Sequence, residues 1–321
     1  MDSLDRSVTE ALRAWRVQHG AGVSISQALS TSGTVCDFAA GRRCFEAAAE
    51  SVTRGESIEQ TVAALKPLLS EGEAALIIAG WKSGRVEACM DGVISQRELW
   101  GQARSKIRSG MALPAVVLII AAFVAPLPAF IAGGDAFTYL LSAAAPLLVA
   151  FVAWKILNAT LNARTPGLDA ILLKLPIIGM VERQRSLAEF STLLSLLISA
   201  GVPILQALKI CAKGVVNTIY RDEIMAVEAV VSKGQPLSTG MKARNLWPVE
   251  FISAIVVGET SGALDDLLMR LGNASRDRYV MAIDTMAQWI PRFAYGLVAI
   301  FIIVQIFSLL GSLAGIYTVP H

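Results

Sequence analysis

The chain has 321 residues, of which 54% are hydrophobic and only 17% are charged, and its mean hydropathy is +0.56. This composition is too apolar for an ordinary soluble protein and predicts membrane-spanning segments. The net charge of +2 excludes a strongly basic nucleic-acid surface, and the two histidines, at nearly opposite ends of the chain, exclude a histidine-based metal site.

Residues 1–110 predict a helical domain. An amphipathic helix over residues 4–18 opens it, and no alternating strand pattern follows. The acidic side chains of Asp2, Asp5 and Glu10 argue against a cleavable signal peptide. The four cysteines of the chain form no C-x-x-C pair, so we expect reduced, structural thiols.

Three apolar runs, over residues 111–132, 139–157 and 293–316, are long enough to cross a bilayer. At a rise of about 1.5 Å per residue they match a hydrocarbon core of ~30 Å. A tight turn over residues 133–138 joins the first two runs into a hairpin. Lys and Arg flank one end of each run and are absent between Ser109 and Trp154. This asymmetry predicts that both polar domains face the cytoplasm and that the hairpin loop and the C-terminus face outward.

The segment between the second and third runs predicts a second helical domain. We expect helices over residues 184–200, from Pro203, over residues 218–231, from Pro248 to Gly258, and from Ala263 towards the membrane. Proline at the start of a helix and glycine at its end are typical boundary signals. The predicted fold is therefore an all-α membrane protein with two cytoplasmic helical bundles and three transmembrane helices.

The two helical domains repeat one another. Arg6-Ser7-x-x-Glu10 recurs as Arg185-Ser186-x-x-Glu189, and Gly22-Val23-x-Ile25-x-Gln27-Ala28-Leu29 recurs as Gly201-Val202-x-Ile204-x-Gln206-Ala207-Leu208. Gly55 recurs as Gly234, and all of these pairs are 179 positions apart. Gly80-x-x-Ser83-Gly84 then recurs as Gly258-x-x-Ser261-Gly262 at 178 positions. A constant separation with one slip indicates a duplicated domain with a single deletion.

Sequence motifs for catalysis are missing. There is no GxxxxGK[ST], GxSxG or HExxH pattern, and Trp81 separates the glycine and lysine of the phosphate-loop-like Gly80-Trp81-Lys82-Ser83. We predict no catalytic residue, no cofactor and no metal site.

The remaining candidates are positions for partner contact or for loop structure. In the second domain they are Gly201, Pro203 and the predicted loop Gly258-Glu259-Thr260-Ser261-Gly262. In the first domain they are Gly80, Lys82, Gly84 and Arg85. Two interpretations of Glu259 stay open: it binds a cation or a partner, or it caps its own loop. Asp265 and Asp266 are explained by the first turn of a helix, where carboxylates favour the helix dipole.

Three blocks of the second half resemble a known family. They are Leu175-Pro176-Ile177-Ile178-Gly179, the stretch from Glu189 to Leu208, and Val257-Gly258-Glu259-Thr260-Ser261-Gly262-Ala263-Leu264. Together with the duplication and the three apolar runs, they resemble the GspF/PilC family, the platform proteins of type IV pilus and type II secretion machines. The chain departs from that family in Trp81, which replaces the family's glutamate in the first domain, and in beginning close to the first repeat, without the longer N-terminal arm.

The resemblance implies a bacterial inner-membrane protein without catalytic residues and with six-helix cytoplasmic domains. The implied partners are a cytoplasmic hexameric assembly ATPase, pilin or pseudopilin, other inner-membrane assembly proteins, membrane lipid and further copies of the chain, with no nucleic acid. The implied domains are a first cytoplasmic domain (1–110), a transmembrane hairpin (111–158), a second cytoplasmic domain (159–290), a third transmembrane helix (291–316) and a periplasmic tail (317–321).

The predicted function is that of a type IV pilus platform that couples the ATPase to pilin extraction. The alternatives are the corresponding type II secretion protein and a passive membrane scaffold for cytoplasmic proteins. A transporter is disfavoured because the apolar runs carry so few ionisable groups. Pro291 is a candidate hinge at the entrance to the third run, although proline is also common in the first turn of a helix.

Overall fold

The computed structural model describes residues 2–124, 126–127, 130, 135–137, 139–141, 143–145, 148, 151–152, 155, 166–243 and 246–317. The helices of the first half are α1 (Asp2–Gly20), α2 (Ile25–Val35), α3 (Ala39–Thr53), α4 (Ile58–Ala64), α5 (Glu71–Ser83) and α6 (Val86–Val124). The helices of the second half are α7 (Pro166–Lys174), α8 (Pro176–Ser199), α9 (Ile204–Gly214), α10 (Thr218–Val231), α11 (Leu237–Lys242), α12 (Val249–Ser261) and α13 (Leu264–Tyr317). The all-helical prediction is confirmed, since the described residues contain no strand.

Several helix boundaries differ from the predicted ones. The prediction for α10 is confirmed at both ends, where Asn217 caps the first turn with its side chain. Helix α8 begins at Pro176, earlier than predicted, because proline fits the first helical turn. The short helix α11 was missed, because six residues are too few for an apolar period to be recognised.

The duplication is repeated in the backbone. Helices α1 to α6 correspond in order to α8 to α13. Six described glycines have positive φ, between 71° and 79°, and they form three duplicated pairs: Gly22 with Gly201, Gly55 with Gly234, and Gly84 with Gly262. A left-handed conformation favours glycine over any residue with a Cβ. The same helix ends are therefore closed in the same way in both copies.

The chain divides into two compact units, of which the first contains residues 1–103 and 169–281. Within this unit the two copies share one continuous hydrophobic core, whose largest fully buried side chains include Trp15, Phe45, Phe190 and Tyr220. The copies meet where α5 of the first packs on α8 and α9 of the second. Both copies of the repeat thus contribute to a single core.

Helices α6 and α13 bring duplicated positions together. In the first unit, the rings of Trp100 and Tyr279, which are 179 positions apart, form an edge-to-face contact with centroids 4.7 Å apart. In the second unit, which contains residues 104–168 and 282–321, Lys106 Nζ lies 2.6 Å from Asp284 Oδ1, and these residues are 178 positions apart. At the separation of 178 that holds in this region, Lys106 contacts its own counterpart, whereas Tyr279 follows the counterpart of Trp100 by one position.

Across the residues that the structure describes, none of the helices has both the length and the apolarity needed to cross a bilayer. Nine of the nineteen residues of the predicted second run, 139–157, three of the six residues of the turn at 133–138, and residues 318–321 lie outside the described residues. The three transmembrane helices, their orientation and the domain boundaries stay predictions.

Candidate functional site

The predicted loop from Gly258 to Gly262 is helical, and its prediction as a loop was wrong. Helix α12 continues to Ser261, and Gly262 ends it in the left-handed conformation with φ 71°. Gly258 lies inside this helix, where the absence of a side chain allows the start of α13 to pass close by. A Cβ built on Gly258 would lie 3.1 Å from Leu264 Cδ1.

The side chain of Glu259, which lies in α12, caps the N-terminus of a different helix, α11. Its Oε1 accepts a hydrogen bond from the backbone N–H of Leu237 at 2.5 Å, and its Oε2 accepts one from Ser238 at 3.3 Å. These are the first two residues of α11, whose own N-cap residue, Pro236, has no side-chain oxygen to offer. Both oxygens of the carboxylate therefore hold backbone donors, which supports the structural interpretation of Glu259.

No group of three or more metal-binding side chains is found among the described residues. The neighbouring hydroxyls bond within their own helix turn. Thr260 Oγ1 donates to the carbonyls of Val256 and Val257 at 3.0 Å, and Ser261 Oγ donates to the carbonyl of Gly258 at 3.4 Å. The hydroxyl groups of Thr260 and Ser261 are therefore used by hydrogen bonds within the end of α12.

The first copy solves the same capping problem locally. Helix α4, the counterpart of α11, begins after Ser57, which forms a reciprocal capping box with Gln60. Ser57 is the counterpart of Pro236, 179 positions away. Because Ser57 caps α4, a glutamate at position 81 is not needed there, and Trp81 packs on Trp15 and His19 with ring centroids 6.5 Å and 5.3 Å away.

The remaining candidates of the first copy occupy the end of α5. A Cβ on Gly80 would lie 2.7 Å from Cys89 Cβ, so this glycine allows α6 to approach. Gly84 closes the helix with φ 73°. Lys82 is exposed and forms an ion pair with Glu59, and Arg85 is exposed. The structure therefore places two cations at one solvent-facing helix end.

Gly201 and Pro203 form the connection between α8 and α9. Gly201 has φ 77°, and the N–H of Val202 bonds to the carbonyl of Leu197 at 3.0 Å, which closes the end of α8. Pro203 is the N-cap residue of α9, one position before the helix. Pro291, the candidate hinge, lies within the continuous helix α13. Helix α13 therefore has no break at the candidate hinge.

A buried polar cluster on α8 was not predicted as a site. Arg185 Nε lies 2.8 Å from Glu189 Oε1, and its guanidinium stacks over Trp100 at 4.7 Å. Glu189 Oε2 also accepts a hydrogen bond from the N–H of Val216 at 3.1 Å. The repeated Arg-Ser-x-x-Glu motif was the available signal, but its first copy, with Arg6 and Glu10, is exposed. The arginine and glutamate of the second copy thus join α8 to α6 and to the loop between α9 and α10.

The thiols are held in their neutral form. Burial raises the pKa of the Cys89 thiol to about 11, although nearby Arg85 lowers it slightly. Burial also raises the pKa values of the Cys36, Cys44 and Cys211 thiols. A reactive thiolate needs the opposite shift, so these cysteines have the character of structural residues.

Comparison with known proteins gives a consistent result. The sequence model of the family described as type II secretion system (T2SS), protein F, matches residues 11–132 and again residues 190–311. The type IV pilus assembly protein PilC of Pseudomonas aeruginosa is 25% identical over 293 residues, which cover 83% of this chain and 78% of that protein. The type IV pilus assembly protein PilC of Myxococcus xanthus is 25% identical over 324 residues, covering 91% and 78%. The type II secretion system protein F of Aeromonas hydrophila is 25% identical over 283 residues, covering 81% and 73%.

Proposed function

Because the chain belongs to the type II secretion system protein F family, we propose that it is the inner-membrane platform protein of a type IV pilus assembly machine. In this role it couples a cytoplasmic hexameric ATPase to the extraction of pilin from the bilayer and to fibre growth. The observation that carries the proposal is the double match of the family model, which covers both copies of the repeat, together with relatives named as pilus assembly proteins.

The fold of the first unit suits a part that receives force from outside. Its two copies share one core, and the close crossing of α5 with α9 leaves no room for side chains at Gly72 and Gly214. A close-packed core transmits displacement because it has low compressibility. A push on either copy is therefore expected to move both.

The proposed route for that movement is α13. This helix runs from Leu264 to Tyr317 without interruption, so it includes residues of both compact units. Pro291 has no backbone N–H to donate, and a proline inside a helix removes one hydrogen bond of the ladder. We propose that α13 carries the movement into the bilayer and bends at Pro291.

Two other functions remain as alternatives. A type II secretion platform is favoured by the similarity to protein F of Aeromonas hydrophila. A passive membrane scaffold would have the same fold without any need for an ATPase. Both alternatives place the protein in the inner membrane with its two helical domains in the cytoplasm and without catalytic activity of its own.

Gene deletion and complementation in the source bacterium test these functions. A pilus platform predicts that deletion abolishes surface pili, leaves processed pilin in the inner membrane, and that a tagged copy of the chain co-purifies the assembly ATPase. Loss of exported soluble enzymes with normal pili would instead establish the secretion alternative. Normal pili and normal secretion, with no ATPase recovered, would refute both motor functions and leave the scaffold.

A further inference from the structure

The two copies are joined by unlike faces. The first copy contributes α5, here called the α5 face, and the second contributes α8 and α9. A Cβ built on Gly72 would lie 2.7 Å from Gly214 Cα, and one built on Gly214 would lie 2.6 Å from Leu193 Cδ2. Glu71 and Lys213 form an ion pair at 3.8 Å at the edge of this joint. This joint is heterologous, because it uses the α5 face of the first copy and the α8–α9 face of the second. The second copy's version of the α5 face and the first copy's version of the α8–α9 face therefore stay unused.

The second copy carries an unused version of the α5 face on α12. Val249, Glu250 and Val257 are the counterparts of Glu71, Gly72 and Ala79, 178 positions away. Ala79 is 7% exposed, whereas Val257 is 56% exposed and Val249 is 76% exposed. Gly72 and Ala79 are thus buried in the first copy and their counterparts are exposed in the second, while Val249 replaces a glutamate that is already exposed.

The first copy carries an unused version of the α8–α9 face on α1 and α2. Val17 is the counterpart of Leu196, and Val35 is the counterpart of Gly214. Leu196 is 8% exposed and packs near Gly92, whereas Val17 is 56% exposed and Val35 is 40% exposed. Valine side chains are therefore exposed at positions where the second copy is covered by α5, at Gly214, and by α6, at Leu196.

We infer that these two faces bind each other between molecules: the α12 face of one chain packs on the α1–α2 face of a second copy of this chain. The occupant is a second copy because the α1–α2 face descends from the very surface that receives α5 inside the chain. The contact continues the internal joint from one molecule to the next, and a heterologous contact of this kind forms a ring if the rotation closes. The replacement of Gly72 and Gly214 by Glu250 and Val35 requires a wider helix crossing than the internal one.

Cross-linking of chains with a single exposed cysteine tests this contact. The background is the full chain with Cys44→Ser, since Cys36, Cys89 and Cys211 are at most 1% exposed. Chains with Val35→Cys and chains with Glu250→Cys carry different tags, are produced in the same membranes and are treated with a short bis-maleimide. We expect a dimer that contains both tags and no dimer from either variant alone.

Matched controls make the outcome decisive. Met225, which is 43% exposed on α10, lies outside both faces, so Met225→Cys paired with Val35→Cys gives the background yield. A mixed product no stronger than this background refutes the contact, as does a Glu250→Cys dimer formed without Val35→Cys, which indicates a like-with-like interface.

In a second measurement, Val257→Glu lowers the mass of the detergent-solubilised oligomer and Met225→Glu does not. Because neither readout requires an ATPase or pilin, failure here leaves the proposed function untouched, and normal pili after gene deletion, together with intact cross-links, would refute only that function.

Discussion

Replacement of Glu259 by alanine is expected to release the first turn of α11. The substitution removes both oxygens that accept from the N–H groups of Leu237 and Ser238, and these residues are only 1% and 6% exposed. A lost N-cap costs about 1 kcal/mol, and a buried donor left without a partner costs about 1 to 3 kcal/mol. Water reaches part of the opened turn, so we expect a net loss of about 2 kcal/mol in local stability, which is roughly a thirtyfold change in an equilibrium constant.

Hydrogen–deuterium exchange measures this change where it occurs. The amides of residues 237–242 should exchange roughly thirtyfold faster in Glu259→Ala, while those of the duplicated helix α4 keep their rates. Glu259→Gln keeps one carbonyl oxygen and should show an intermediate rate. Unchanged exchange in Glu259→Ala would refute the capping role and would reopen the interpretation of Glu259 as a cation or partner site.

The duplication supplies a rescue and a reference for this experiment. Pro236→Ser restores the hydroxyl that the first copy has at Ser57, so it should recover part of the protection lost in Glu259→Ala. Ser57→Ala, in the first copy, should accelerate exchange over residues 58–64 by a factor that corresponds to about 1 kcal/mol. If Pro236→Ser does not slow hydrogen exchange in the Glu259→Ala background, a local serine cap cannot replace the glutamate that caps α11 from α12.

Three further outcomes are expected. Arg185→Ala breaks a buried ion pair and should lower the free energy of unfolding by about 3 to 5 kcal/mol. Arg6→Ala, at the exposed counterpart, should change the free energy of unfolding by less than about 0.5 kcal/mol. Equal losses of the two variants in thermal denaturation would contradict this. At pH 8, Cys44 should react with iodoacetamide before Cys89. Burial holds the pKa of Cys89 at about 11, so its thiolate forms only as the pH rises towards that value. Mass spectrometry that found Cys89 modified first would disprove this order. Pro291→Ala should reduce the number of pili while leaving membrane insertion intact, and normal piliation would argue against a bend at that position.

The sequence predicted those features that are repeated within it. Left-handed helix ends favour glycine, so Gly201, which repeats Gly22, marked the end of the predicted helix over residues 184–200, whereas the helix that ends at Gly262 was predicted to stop too early, at Gly258. The helix over residues 218–231 was also predictable, because Asn217 provides a local cap and the apolar period is regular.

Features that depend on contact between the copies could not be predicted in this way. Gly72 and Gly214 form a close crossing, yet their counterparts are Glu250 and Val35, so the repeat contains no trace of their role. Helix α11 has its cap on a different helix, and a distant carboxylate leaves no signal in the local sequence. The Arg-Ser-x-x-Glu motif was visible twice, but periodicity does not say which copy is buried.

The glycine crossing between α5 and α9 also selects which surfaces can compete for it. In a chain with two related domains, a neighbouring molecule could in principle displace the tethered partner and exchange domains with it. The only other face of the same ancestry has Glu250 where Gly72 stands, and a side chain at that point would collide with the backbone at Gly214. The joint therefore rejects the α12 face of any chain, so the second domains of two molecules cannot pair with each other through it.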